Sequence, residues 1–414
     1  MPSKKTALPR PSARASKLVE LRNLKMARSA GAYVRGNTVK FYEALEALPA
    51  QSVPQGPPIW ICGDCHVGNL GPLANAAGRV EIQICDLDQT VVGNPAHDLI
   101  RLGLSLATAT RGSDLPGVTT AQMLEQMIEG YEAAFAEKIP EVGEKSARTH
   151  PKEPRSDAIK LVMRQAKQRT WAHLAKERIE GMRPEIPLGK RFWPLSKQER
   201  RALTTLFERE SVASLATALR QREPDARVEI LDAAYWVKGC SSLGGLRYAV
   251  LLDIGGDASN GRDLCLMDIK EAVKAAAPRQ AGVDMPRDNA QRVVQGARQL
   301  APFLGERMLA ERLMDSAVFM RELLPQDLKI ELDVLSHDEA MKSAYFLAAV
   351  VGKAHARQMD AATRRSWQAE LQRNRSKKLD APSWLWNSIV ELIVSHERGY
   401  LDHCRRYATT AACR

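Results

Sequence analysis

The stretch "WICGDCHVGNLG", residues 60–71, carries three arrangements that could each do chemistry. Cys62-x-x-Cys65-His66 has the spacing of a covalent haem attachment; the two thiols alone have that of a redox pair or half a zinc site; Asp64 and Asn69 supply oxygen ligands. Farther on, "ICDLD" delivers Asp86 and Asp88. One aspartate to take a proton from a hydroxyl, with an asparagine and a second aspartate to hold hard Mg²⁺, is the set phosphoryl transfer requires, since that chemistry is mostly positioning and charge neutralisation. The plainer reading is that these are turn formers and strand-end caps.

The thiol readings are weak. Haem attachment normally follows export, and the opening "MPSKKTALPRPSARASK" leads into "LVELRNLKMARS" without the apolar run of a signal peptide. The seven cysteines, at 62, 65, 85, 240, 265, 404 and 413, are an odd number on apolar segments, so reduced thiols and a cytoplasmic protein are expected. No second Cys or His pair follows at zinc-ligand spacing, and Gly63-Asp64 leads into a loop, not the helix start of a thioredoxin-like pair. His66 either orients that loop or takes part in the reaction as a catalytic residue. The apolar run "AYFLAAVVG" is too short to cross a bilayer, which takes roughly 20 residues, and is assigned to the core.

The second half offers complementary parts. "VKGCSSLGGLRYAV" puts Gly239, Ser241, Ser242, Gly244 and Gly245 on a strand-turn-strand, where backbone N–H groups can approach phosphate oxygens. "LCLMDIKEA" then places Lys270 at a strand end, where it can pair with nucleotide phosphates. A hairpin followed by an exposed lysine is the bland alternative. Arg35 and Arg101 either bind substrate or pair with buried acids, and His355 either serves the loop or is a satisfied core histidine.

These residues need elements to position them. Helical spacing over 16–48 predicts two helices with a break; "IWIC" and "GRVEIQICDLD" read as strands with Gly78 at the hairpin between them; Asp98 precedes an apolar helix, with another near 119–138. Strands with Gly-rich punctuation fill 228–273, a helix covers about 289–304, "SAVFMREL" is a strand, and the pattern is helical from Ser336 onward. The 44% hydrophobic content fits an ordinary globular chain, and the 5% aromatic content disfavours a base-stacking platform. Of the net charge of +11, most lies in tract 141–222, with 19 basic and 10 acidic residues: either a solvated face or a contact for a phosphate-rich partner.

Together, "YVRGNTVKFY", "GDCHVGNLG", "DLDQTVVGNPAHDLIRL", "RFWPL", "IKEA", "QRVVQGARQL" and "KAHARQM" resemble the bacterial family catalogued as domain of unknown function 2252, across roughly residues 24–360. "GDCHVGN", "ICDLD" and "GNPAHDL" are also similar to the catalytic loop, metal strand and following helix of aminoglycoside and choline kinase-like phosphotransferases, whose loop reads His-Gly-Asp-Leu-His-x-x-Asn. The resemblance implies an α+β, two-lobed protein kinase-like fold with a helix-rich large lobe and a small antiparallel-sheet nucleotide lobe. It also implies circular permutation, because Asp64 precedes Lys270 and "AAVVGKAHARQM", similar to the helix before the catalytic loop, lies near the C-terminus.

By the same resemblance Asp64 is the catalytic base, Asn69 and Asp86 are metal ligands, Asp98 braces the loop, Lys270 pairs phosphates, and the strand ending at Glu322 and Leu323 meets the adenine. Asp88 is either a second metal ligand or a substrate contact. ATP and Mg²⁺ are the implied cofactors, and a small-molecule or protein hydroxyl the acceptor. The expected organisation is a disordered tail (1–15), half of the large lobe (16–140), a basic helical insertion (141–225), the nucleotide lobe (226–335) and C-terminal helices (336–414). Two departures stand out. Gln295 replaces the glutamate that would hold the lysine, so Lys270 is expected to pair with Asp86 or Glu271, and Cys62 replaces the loop histidine. They keep open a catalytically inactive nucleotide-binding regulator; a nucleic-acid binder using Lys190, Arg191, Arg200 and Arg201 is the third reading.

Overall fold

The computed structural model describes residues 8–49, 52–112, 117–136, 155–169, 185–218, 222–223, 225–240, 243–255, 264–330, 336–373 and 381–407. The first apolar segment forms three helices where two were expected: α1 (Arg14–Met26), α2 (Ala30–Gly36) and α3 (Thr38–Glu46). Ser29 and Asn37 make the cuts, their side-chain oxygens accepting from Ala32 N and Lys40 N as N-caps. Residues 8–15 were assigned to a tail, yet Arg14 is buried and bonds Glu199 Oε1 at 2.6 Å.

Four short strands follow, β1 (Ile59–Ile61), β2 (Leu70–Ala74), β3 (Val80–Ile84) and β4 (Val91–Gly93). The expected pairing is corrected here. The hairpin at Gly78 joins β2 to β3, and β1 pairs instead with β4. Leu70 and Leu73, on the far side of the Cys62–Asn69 loop, are fully buried, which draws "LGPLA" into a strand. Helices α4 (Ala96–Gly112), α5 (Gly117–Ala136) and α6 (Asp157–Gln168) complete the first half.

The later elements are β5 (Phe192–Trp193), α7 (Lys197–Phe207), α8 (Glu210–Ala216), β6 (Val228–Trp236), β7 (Arg247–Ile254), β8 (Leu264–Glu271), α9 (Asn289–Leu300), α10 (Pro302–Gly305), β9 (Met308–Leu313), β10 (Ser316–Glu322), α11 (His337–Ala356), α12 (Ala361–Gln372) and α13 (Ser383–Tyr407). The fold is mixed α+β, with a six-stranded antiparallel sheet in the order β5-β6-β7-β8-β10-β9. Strands β5 and β9 were not foreseen. Register places Lys270 of β8 between Arg247 of β7 and Phe319 of β10.

The basic tract departs from a separate insertion where it is described. Trp193, Leu203, Leu206 and Val212 share one core with Tyr248, Val250 and Met267 of the sheet, so 192–216 packs on the sheet's face. Lys190, Arg191, Arg200 and Arg201 point to solvent, while 141–154 and 170–184 lie outside the described residues. Among the described residues no helix is long and apolar enough to cross a membrane.

A second core joins the helices to β1–β4 and α9. Its centre is the crossing of α5 with α11, where a Cβ on Gly130 would stand 2.1 Å from the Tyr345 carbonyl oxygen. Backbone cannot yield as a side-chain tip can, so Gly130→Ala should lower unfolding free energy by about 1–3 kcal/mol in urea titration. An unchanged transition would mean the helices do not approach this closely.

Candidate functional site

The loop from Cys62 to Asn69 is held from beneath by Asp98, in the first turn of α4. Asp98 Oδ2 accepts from Cys62 N at 2.7 Å and Oδ1 from Gly63 N at 2.9 Å. Oδ2 also receives His355 Nε2 at 3.1 Å from the end of α11. His355 Nδ1 then lies 2.9 Å from Tyr131 Oη, and Tyr131 Oη accepts from Trp367 Nε1 at 3.1 Å. All four side chains are at most 1% exposed. The chain has one consistent direction: the indole donates to tyrosine, tyrosine to Nδ1, and Nε2–H to the carboxylate, which fixes the imidazole tautomer.

Gly63 is the pivot of this loop. Its φ of +74° is left-handed, and a Cβ there would lie 2.1 Å from the Gln89 carbonyl oxygen, so the loop and the "DLDQT" turn pack backbone to backbone. Tyr42 Oη donates to Gly63 O at 2.7 Å, and Thr90 Oγ1 to Ile61 O at 2.6 Å.

Above the loop opens a cavity of about 380 Å³. Asp64, His66, Asn69, Asp86 and Asp88 line it, and so do Arg35 and Gly239. Arg101, wholly buried, donates Nε to Asp64 Oδ1 at 2.8 Å and Nη2 to Val34 O at 2.7 Å, so it orients an acid and does not face the cavity. Asn69 Nδ2 donates to Asp64 O at 3.0 Å, which engages the donor end of the amide and leaves its oxygen as the ligand end. His66 Nε2 is 3.9 Å from Asp64 Oδ2, and burial pushes its pKa down to about 4 although Asp64 pulls the other way.

Lys270 enters from β8. Its ammonium contacts Asp88 and stands 3.6 Å from Asp86 Oδ1. Burial pushes the ammonium pKa down while Asp86 resists. Burial would raise Asp86 in turn, but Lys270, then Lys329, Arg247 and Arg321, hold it well below the usual carboxylate range. Asp88 Oδ1 is buried without a partner. Asn69, Asp86 and Asp88 thus form an all-oxygen donor set of the kind Mg²⁺ takes, with one carboxylate oxygen already orphaned.

Other expected residues fall differently. Ser241 and Ser242 lie outside the described residues. Gly239 has φ +95° and Gly244 φ +124°, while the Gly245 carbonyl accepts from Tyr235 Oη at 2.6 Å. Glu322 and Leu323, at the end of β10, are tied into their own sheet. Glu322 pairs with Arg222, its carbonyl accepts from Arg307 Nη1 at 2.9 Å, and Leu323 N donates to Leu266 O at 2.8 Å, so these groups are engaged within the sheet. Gln295 is exposed, and Glu271 turns to Leu246 N and Ser316, so the lysine's partners are Asp86 and Asp88.

Cys62, Cys65 and Asp98 put possible ligand atoms within 4.8 Å of one another. Both oxygens of Asp98 already accept backbone or imidazole donors, and the hydrogen bond with Cys65, then burial, hold the Cys62 thiol well above its usual range. The trio is therefore built as a brace.

Several contributors escaped sequence reasoning. Arg292 of α9 donates to Asp88 O at 3.0 Å and Val273 O at 2.9 Å, and also bonds Thr90 O. Gln358 clamps β1 by accepting from Trp60 N at 2.8 Å and donating to Trp60 O at 3.0 Å. Lys25, Arg28 and Lys329 line the cavity. "QRVVQ" and "ARQM" carry the right polar types, but no spacing rule names such distant partners.

Asp98→Ala would strand two amides and an imidazole, and should cost about 3–5 kcal/mol in chemical denaturation; a loss below 1 kcal/mol would contradict the brace. Burial also holds His396 at a pKa of about 4, as it does His66. Between pH 6.5 and 4 the unfolded chain then binds more protons than the folded one, so stability present above pH 6.5 falls as pH falls, by up to about 3 kcal/mol per histidine. His396→Asn should flatten that decline of the melting temperature; an unaltered slope would count against it.

No curated protein and no solved structure matches the chain. A family model does match, over residues 14–406, and by it this chain belongs to the family described as "Uncharacterized protein conserved in bacteria (DUF2252)".

Proposed function

We propose that this chain is a Mg-ATP-dependent phosphotransferase with a kinase-like, circularly permuted fold and a hydroxyl acceptor. The observation that carries the reading is the meeting at one site of Asp64, Asn69, Asp86 and Asp88 from the early chain with Lys270 from the late chain. The order of the later elements supports it: strand, Gly-rich turn, strand, lysine strand, helix, then two strands. So does Gln358, just past α11, which pairs with Trp60 beside the loop and so brings the late helix to the position it would hold directly before the loop in an unpermuted chain.

In this mechanism Asp64 Oδ2 accepts the proton of the acceptor hydroxyl while Arg101 holds Oδ1 in place. The acceptor oxygen bonds to the γ-phosphorus as the bond to the β–γ bridging oxygen breaks, and ADP leaves. Asn69, Asp86 and Asp88 would hold Mg²⁺, which would supply neutralisation of the phosphate charge. Lys270, against Asp86 and Asp88, and Arg35 and Lys329 on the cavity wall contribute further positive charge toward phosphate oxygens, and buried His66, uncharged at neutral pH, keeps the loop's shape.

A catalytically silent nucleotide-binding role is favoured by one observation, the capture of Lys270 by the carboxylates that would serve the metal. Turnover separates the two. Asp64→Asn should lower ATP-dependent phosphoryl transfer by about 10²–10⁴-fold, the usual worth of a general base. Lys270→Met should lower it while also weakening Mg-ATP's thermal stabilisation of the protein. Equal rates in wild type and both variants would end the phosphotransferase reading; a thermal shift without any product would favour the silent one.

A further inference from the structure

A second cavity, of about 1080 Å³, adjoins the first, and Gln89 lines both. Its wall carries Arg22, Lys274, Arg279, Arg287 and Arg292 and no carboxylate. Among the described residues none of these five cations has an ion-pair partner. Arg279 donates to the carbonyls of Val283 and Met285, and Arg292 only to carbonyls. Asp288, at the start of α9, caps that helix and faces Arg312.

Unpaired cations on a surface are ordinary, but one of these cations, and a hydroxyl on the same wall, are buried. Arg292 is 3% exposed and its Nε has no partner. Thr38 is 5% exposed and its Oγ1, on the same wall, is also unpartnered. A buried guanidinium without a counterion costs free energy that an anionic ligand would recover.

We infer that this groove is the acceptor site, and that the acceptor is a small phosphorylated hydroxyl compound whose phosphate is held by Arg292, Arg287, Lys274 and Thr38 while its hydroxyl reaches Asp64 past Gln89. The assignment rests on the phosphotransferase reading for the fate of the hydroxyl, but not for the binding of the phosphate. Ligand sites commonly measure about 300–1,000 Å³, so the groove holds a sugar-phosphate-sized molecule without rearrangement. Guanidinium groups suit phosphate because their paired N–H donors match its oxygens.

The test uses the full-length protein and three probe classes: ribose 5-phosphate and glucose 6-phosphate, the matching free sugars, and a hexaglutamate peptide. At least one sugar phosphate should raise the wild-type melting temperature without ATP, the free sugars should not, and Lys274→Ala/Arg287→Ala should weaken that binding at least about tenfold. Variant folding is checked by its own melting transition, and Arg287→Lys, which keeps charge but loses the fork, gives a second reading of the same loss. No shift from either sugar phosphate, an equal shift in the double variant, or a response to hexaglutamate alone would overturn the inference. Mg-ATP on wild type is run separately: a sugar-phosphate shift without a Mg-ATP shift would sink the phosphotransferase reading and leave the anion groove standing, and the converse would do the opposite.

Discussion

The arrangement depends on a carboxylate buried where no water reaches it. Asp98 would be prohibitive in the core alone, and it is tolerated because two loop amides and His355 donate to it. Those donors come from residues nearly 300 positions apart, so the same contact that satisfies Asp98 joins early and late chain. His355 is in turn satisfied by Tyr131, and Tyr131 by Trp367, which draws α5, α11 and α12 into one network. Cys62, Gly63 and hence Asp64 inherit their position from helices that never touch the cavity.

A second closure acts from the sheet side. Lys270 reaches Asp86 and Asp88, while Arg292 grips the backbone of the same acidic turn. Both cations are nearly buried, and the charge of Lys270, with those of Lys329, Arg247 and Arg321, holds Asp86 ionised against the cost of burial. The acidic turn is therefore pinned between loop and sheet, Gly63 on one side and α9 on the other. Rigid placement of oxygens and cations about one cavity is the condition that phosphate chemistry imposes, because positioning supplies most of its catalysis.

What was legible in the chain was local. Asp64, Asn69, Asp86 and Asp88 stand on turns beside short buried strands, and those turns announce themselves through glycine and asparagine at fixed offsets. The β-branched and aromatic residues beside glycine punctuation over 228–273 gave the central sheet strands for the same reason. Short partners were invisible: two-residue β5 is a strand only because β6 offers it an edge, and β1 chose β4 over the nearer hairpin. The bracing role of Arg101 and the grip of Arg292 emerge only on closure, since an arginine on a helical face reads the same whether it meets water or a buried acid. The partners of the Glu322 carbonyl and the Leu323 amide, Arg307 and Leu266, are likewise set by packing.

The central claim is one of place: a triphosphate and its metal between the acidic turn and the lysine strand. A crystal structure with Mg²⁺ and a non-hydrolysable ATP analogue tests it most directly. The account predicts metal density bounded by Asn69 and Asp86, with phosphate oxygens within hydrogen-bonding reach of Lys270 and the Gly239 turn. Nucleotide bound on another face, with Lys270 still against Asp88 and no metal among these oxygens, would contradict it.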